Sequence, residues 1–168
     1  MTATQHDGER IGVMCIGNLL LRDEGLGPLV AQRLSAEYEF PANVEVVDSG
    51  TMGMSLIGQI ASYDYLIVVD AVDGTGEEPG TVFTFTPEEM ARCTIMHSLH
   101  DIRFKDVLDA ASLLGTVPEA VCVGAQVLDM NPVDFSIGLT DVLDASVPLV
   151  METVVSLLAA RGVEVTRR

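Results

Sequence analysis

The run YLIVVD at residues 65–70 consists of five consecutive apolar residues followed by an acid. Three similar apolar runs lie elsewhere: IGVMCI at 11–16, VEVV at 44–47 and AVCVGAQV at 120–127. Strands that are apolar throughout are typical of a parallel sheet covered on both faces. We therefore predict an α/β fold, a three-layer α/β/α sandwich around a mostly parallel, twisted sheet of about five strands.

The segments between these runs complete the pattern. TVFTFT at 81–86 alternates in polarity and predicts one antiparallel edge strand. Apolar residues at helical spacing predict helices at 26–38, 54–61, 107–114 and 140–161. Pro28 falls in the first turn of the first helix, where proline is tolerated. Thr140 is expected to cap the last helix, and Pro148 to kink it or mark its true start.

Composition limits the classes of function. A chain of 168 residues with 48% hydrophobic residues suits one domain, 1–168, with residues 1–10 as a flexible tail. Nine basic and 25 acidic residues give a net charge of −16, which disfavours nucleic acid and anionic membranes and favours a basic partner or a cation. Apolar stretches are interrupted within about ten residues, shorter than a membrane span of ~20. Three cysteines without a CxxC motif, and no signal peptide, indicate a reduced cytoplasmic protein.

Acids follow three of the predicted strands. Glu24 lies in the loop after the first strand, Asp48 ends the second, and Asp70 ends the third. Carboxyl ends of parallel strands share one edge of the sheet, so we expect these side chains to gather there. Clustered carboxylates raise one another's pKa, and a bound cation would relieve their repulsion. Asp23, beside Glu24, is expected to cap the following helix or to lie in a solvated turn.

Histidines could complete such a site. His97 and His100 precede the predicted helix at 107–114, and a spacing of three can place both imidazoles on one helical face. Imidazole with carboxylates is a usual ligand set for zinc, nickel or iron. No GxGxxG, GxxxxGK[ST], GxSxG or HExxH motif is present, which argues against the common nucleotide, serine-hydrolase and zincin sites.

The sequence resembles the hydrogenase maturation endopeptidases over nearly its whole length. The matching segments are IGNLLLRDEGLG at 16–27, DSGTMGM at 48–54, LIVVDA at 66–71, His100 ahead of DVL at 106–108, and IGLT at 137–140. The family's fold agrees with the sandwich predicted above. The resemblance implies an endopeptidase that removes a C-terminal extension from the nickel-loaded large-subunit precursor of a nickel–iron hydrogenase.

The resemblance also implies roles for individual residues. Glu24, Asp70 and His100 match the family's metal ligands, and Asp48 matches a further acid thought to act in catalysis or substrate contact. The resemblance implies nickel, either held by the protease or supplied with the substrate, and zinc or another divalent metal as a substitute. The enzyme is expected to be a cytoplasmic monomer whose partner is the precursor protein.

Several alternatives stay open at this point. His97 competes with His100 as ligand, and a shift of one residue would exchange Asp23 for Glu24. In one alternative mechanism, Glu24 and Asp70 act directly as an acid pair, as in an aspartyl protease. In another, Asp48 acts as the base. The alternative function is a non-hydrolytic nickel-binding accessory protein for hydrogenase assembly.

Overall fold

Helices and strands alternate along the chain. The structure, a computed structural model, describes residues 8–51, 53–92, 104–115, 117–129 and 135–168. Its strands are β1 (Ile11–Ile16), β2 (Tyr38–Glu39), β3 (Val44–Gly50), β4 (Tyr65–Val72), β5 (Val82–Phe85), β6 (Glu119–Gln126) and β7 (Thr166–Arg167). Its α-helices are α1 (Leu26–Glu37), α2 (Ile57–Ile60), α3 (Pro87–Arg92), α4 (Phe104–Ser112), α5 (Asp141–Asp144) and α6 (Val147–Ala160). Short 3-10 helices span Arg22–Gly25 and Met54–Leu56.

Five strands form the central sheet in the order β3-β1-β4-β6-β5. The first four are parallel, and β5 pairs antiparallel with β6 at the edge. The predicted fold class is therefore confirmed, including its antiparallel edge strand. A second sheet, β2 with β7, was not predicted, because two-residue strands carry no periodic signal.

Apolar side chains alternate between the two faces of the sheet. On one face, β1 and β4 pack against α1 and α6 through residues such as Val13, Val30 and Val154. On the other face, α2 and α4 cover Met14 and Val68. Each face is thus sealed by helices, which is why the strands are apolar throughout.

The stretch Asp141–Ala160 is long and apolar enough, by composition alone, to cross a membrane. In the structure it is two helices, and Leu143, Val147, Val150 and Leu158 are buried against the sheet. Its hydropathy is accounted for by this core packing. Pro148 lies in the first turn of α6, so it marks the start of that helix and introduces no kink.

The observed strands are longer than predicted at their carboxyl ends. β3 continues through Asp48 to Gly50, and β4 continues through Asp70 to Val72. A bulge beside β1 allows β3 to continue, since Cys15 pairs with Asp48 while Ile16 pairs with Gly50. Both acids therefore lie within strands, held by the ladder and not by flexible loops.

The loop after β1 is pressed against the strand end. A Cβ added to Gly27 would lie 2.0 Å from the carbonyl oxygen of Ile16, and one added to Gly17 would lie 2.0 Å from that of Glu24. Only glycine allows these approaches. The close packing fixes where Glu24 leaves the backbone.

Candidate active site

The site lies where the connections of the sheet diverge. β1 is flanked by β3 and β4, and α1 leaves toward one face while α2 lies on the other. A crevice opens at such a switch point, beyond the carboxyl ends of the strands. Here the 3-10 helix Arg22–Gly25 lies in this crevice and contacts β4.

Glu24 and Asp70 lie close enough at this crevice for the charge of Glu24 to raise the pKa of Asp70. Glu24 is only 2% exposed, and Asp70 is partly buried. Burial raises the pKa of Asp70 from 3.8 to about 8, and the nearby charge of Glu24 adds to this increase. A backbone hydrogen bond from Ala71 acts in the opposite direction and lowers the pKa. Two carboxylates in this relation repel each other when both are ionised. Ionisation of both groups is therefore costly, and a bound cation would relieve that cost.

Asp48 occupies a different part of the same edge. It aligns with Cys15 and, across β1, with Val69, so it points to the α1 face while Asp70 points to the opposite face. The two strands that carry these acids are about 10 Å apart, two strand spacings. Asp48 is exposed and lines an open depression of about 250 Å³ with Gly17, Asn18 and other residues. The three predicted acids are thus at one edge of the sheet, with Asp48 on the opposite face from Asp70.

Asp23 is neither a solvated turn residue nor a helix cap, and that prediction was wrong. Its side chain is completely buried. Oδ2 accepts hydrogen bonds from the backbone N–H groups of Leu128 and Asp129, each at 2.9 Å, and Oδ1 accepts from the N–H of Thr140 at 2.7 Å. Thr140 occupies the N-cap position of α5, but its hydroxyl donates to Asp23 and does not cap the helix. The Asp23 carboxylate therefore stabilises the fold through these hydrogen bonds, which favours Glu24 as the acid at the crevice.

A second polar network was also missed from the sequence. Gln126 is buried at the end of β6, where its amide nitrogen donates to Asp73 at 3.1 Å and its amide oxygen accepts from Thr75. These bonds hold the start of the loop after β4. No local pattern marks Gln126, because its partners are more than 50 residues away.

Two histidines are candidate metal ligands from the sequence. His97 and His100 lie outside the described residues, so the choice between them stays a prediction. Within the described ranges, no group of three or more His, Cys, Asp or Glu side chains could hold a metal ion.

Comparison with known proteins identifies the family. Residues 28–157 match the model of the family described as hydrogenase maturation protease. The chain belongs to this protease family. It is 36% identical over 161 residues to the hydrogenase 2 maturation protease of Escherichia coli, covering 95% of this chain and 96% of that protein. It is also 38% identical to the hydrogenase expression/formation protein HupD of Rhizobium leguminosarum bv. viciae, covering 95% of this chain and 79% of that one.

Solved structures give the same result for the protease. It superimposes on the hydrogenase maturating endopeptidase HybD from E. coli with a TM-score of 0.86 at 35% identity, covering 95% of this chain and 98% of that chain. The predictions of a peptidase and of its family are therefore confirmed. The relatives support an endopeptidase over a non-hydrolytic accessory protein.

Proposed function

We propose that this protease removes a C-terminal extension from the nickel-loaded large-subunit precursor of a nickel–iron hydrogenase. The observation that carries the proposal is the electrostatic interaction of the buried Glu24 with Asp70 at the switch-point crevice. Membership of the maturation protease family supports the substrate class.

The donor set fits a divalent cation. Without one, burial and the charge of Glu24 keep the pKa of Asp70 near 8, so that carboxyl group retains its proton at neutral pH. A divalent ion would offset the repulsion and allow both groups to ionise. Carboxylate oxygens with one imidazole suit nickel or zinc and leave coordination positions for substrate. When bound, such an ion supplies Lewis-acid polarisation of the scissile carbonyl.

We assign the third ligand to His100. α4 begins at Phe104, four residues after His100 in sequence, and packs on the sheet face toward which Asp70 points. His97, three residues earlier, is the competing assignment.

The remaining roles belong to the chain's own carboxylates. Glu24 and Asp70 bind the metal and orient the peptide that carries it. Asp48, exposed beside its depression, contacts the substrate or accepts a proton from the attacking water. In the competing mechanism, Asp70 keeps its proton and donates it to the leaving amine while Glu24 stays ionised, as in an acid pair.

The test compares wild type with Glu24→Gln, Asp70→Asn, His100→Ala and His97→Ala on nickel-loaded precursor, following subunit mass. We expect the first three variants to lose processing by at least about 100-fold, on the scale of losing a group used in the chemical step. Asp144→Asn, a substitution of an exposed acid on α5, is the matched control and should process normally. Full processing by Glu24→Gln, Asp70→Asn and His100→Ala together would refute the proposal.

Location and assembly are part of the same proposal. Cys15 and Cys122, the cysteines within the described residues, are both free and buried, which supports a reducing compartment. We place the reaction in the cytoplasm and expect the protease to act as a monomer. Cell fractionation and sedimentation velocity test these two statements.

A further inference from the structure

Five large apolar side chains are exposed beside the crevice. They are Leu19 and Leu20 in the loop after β1, and Leu128, Phe135 and Ile137 in the segments after β6. Phe135 is 80% exposed and Ile137 is 78% exposed. We call this set the apolar shelf. Isolated exposed apolar residues are ordinary, but several on neighbouring segments mark a binding surface.

Hydrogen bonds join the two parts of the shelf. Leu21 and Ser136 form a parallel bridge, in which the N–H of Ser136 donates to the carbonyl of Leu20 at 3.0 Å. The N–H of Arg22 donates to the carbonyl of Ser136 at 2.8 Å, and the Arg22 guanidinium donates to the Ser136 hydroxyl at 3.1 Å. Leu20 therefore lies next to the segment that carries Phe135 and Ile137.

The buried carboxylate of Asp23 fixes this arrangement from below. It accepts the backbone N–H groups of Leu128 and Asp129 and both donors of Thr140, on either side of Phe135 and Ile137 in sequence. Arg22 adopts a positive φ of 48°, an unfavourable conformation for a residue with a side chain. The buried Asp23 carboxylate and the strained backbone of Arg22 thus hold in place a surface whose apolar side chains are exposed to water. Such an arrangement is explained by binding better than by stability.

The shelf continues into the proposed active site. Glu24 and the shelf residues Leu19 and Leu20 lie on one short loop, and Leu19 also lines the depression that contains Asp48. A chain lying on the shelf is therefore within reach of the acid pair and of Asp48. This continuity identifies the occupant as the chain that is cut.

Charge supports the same occupant. A second copy of this protease carries the same net charge of −16, so self-association on the shelf meets like-charge repulsion. Asp48, which lines the same depression as the shelf residue Leu19, suits a basic group. We propose that the apolar shelf binds, through apolar side chains flanked by a basic residue, the extended segment of the hydrogenase large-subunit precursor that contains the cleavage site. This inference rests on the proposed function.

The kinetic test uses the double variant Leu20→Ser/Ile137→Ser and nickel-loaded precursor. We expect KM to rise about tenfold, equivalent to about 1.4 kcal/mol of binding free energy, with kcat changed less than twofold. Leu113→Ser is the matched control, because Leu113 is 87% exposed beyond the end of α4, and its KM should not change. Unchanged thermal stability in both variants shows that the fold is intact. An unchanged KM in the double variant overturns the inference and leaves the proposed function standing.

A binding measurement separates the two proposals. A synthetic peptide spanning the cleavage site is titrated into the isotope-labelled wild-type protease, beside a peptide whose apolar residues are replaced by serine. We expect chemical-shift changes at shelf residues with the first peptide and at least tenfold weaker binding of the second. If wild type binds the first peptide at the shelf but never shortens the precursor, the proposed function fails and the shelf stands. Shifts confined to other surfaces, or a dimer in sedimentation velocity that the double variant abolishes, overturn the shelf.

Discussion

Thr140 donates its backbone N–H and its hydroxyl to Oδ1 of Asp23, at 2.7 and 2.9 Å, across 117 residues of chain. The same carboxylate accepts two further backbone N–H groups at its other oxygen. Asp23 thereby ties the loop after β1 to the segments around Leu128 and Thr140. Its neighbour Glu24 faces the crevice, so two adjacent acids serve separate purposes.

Asp23→Asn should destabilise the protein. The amide replaces one acceptor oxygen with a donor that faces backbone N–H groups, leaving buried donors unsatisfied at a cost of about 3 kcal/mol. Urea unfolding measures the change in the free energy of unfolding. Asp144→Asn, at an exposed position, is the control and should shift it by less than about 0.5 kcal/mol. Equal stability of the two variants would show that the buried network contributes little.

Asp70→Asn should change how stability depends on pH. The pKa of Asp70 is about 8 in the folded protein and near 3.8 when exposed, so between these values the folded state binds more protons than the unfolded state. The free energy of unfolding therefore falls as pH rises from about 4 to 8. The variant lacks this contribution. In metal-free buffer, the fall in its free energy of unfolding over that pH range should be smaller than that of the wild type by at least about 2 kcal/mol. Parallel pH profiles for variant and wild type would contradict the raised pKa.

Gly27→Ala should prevent or severely impair folding. Its Cβ would lie 2.0 Å from the carbonyl oxygen of Ile16, so α1 would have to separate from β1. We expect a loss of more than about 3 kcal/mol, typical of overpacking against backbone. Gly58 in α2 is the matched control, since a Cβ there meets nothing within 4 Å, and Gly58→Ala should be neutral or stabilise by about 0.5 kcal/mol. Thermal unfolding of both variants tests the contrast.

Arg161→Lys should be costly at the opposite edge of the sheet. The Arg161 guanidinium stacks 3.6 Å from the Tyr65 ring centroid and pairs with Glu9 at 2.6 Å and with Glu119. Lysine cannot reproduce a planar group that stacks and bonds in two directions, so we expect a loss of about 1–2 kcal/mol. Arg33→Lys, in a surface pair with Glu37, should cost less than about 0.5 kcal/mol. Similar losses of stability in the two variants would show that the stacking and partial burial of Arg161 do not contribute to stability.

The sequence predicted the strands, because apolar runs are a local pattern, and it predicted that the acids following them lie at one edge of the sheet. Apolar runs identified β1, β3, β4 and β6, and parallel topology then required their carboxyl ends to share an edge. The orientation of Asp48 was beyond this reasoning. It depends on the strand register and on the bulge opposite Cys15, which are set by pairing between distant residues.

The role of Asp23 shows the same limit more sharply. An acid just before a helix is ordinarily a cap or turn residue, and nothing adjacent in sequence distinguishes this one. Its hydrogen-bond partners lie 105 to 117 residues away. The apolar shelf was equally hidden, because exposure of Phe135 and Ile137 cannot be inferred from residue type.

The pairing of β2 with β7 has a practical consequence. It holds Arg168 to the carbonyl of Glu37, while Arg10 at the other end of the described chain donates its N–H to Asp64. Both points lie at the amino edge of the central sheet, about 20 Å of strand length from the acid pair. A fluorophore or surface linker attached near either point would therefore leave the acid pair unobstructed.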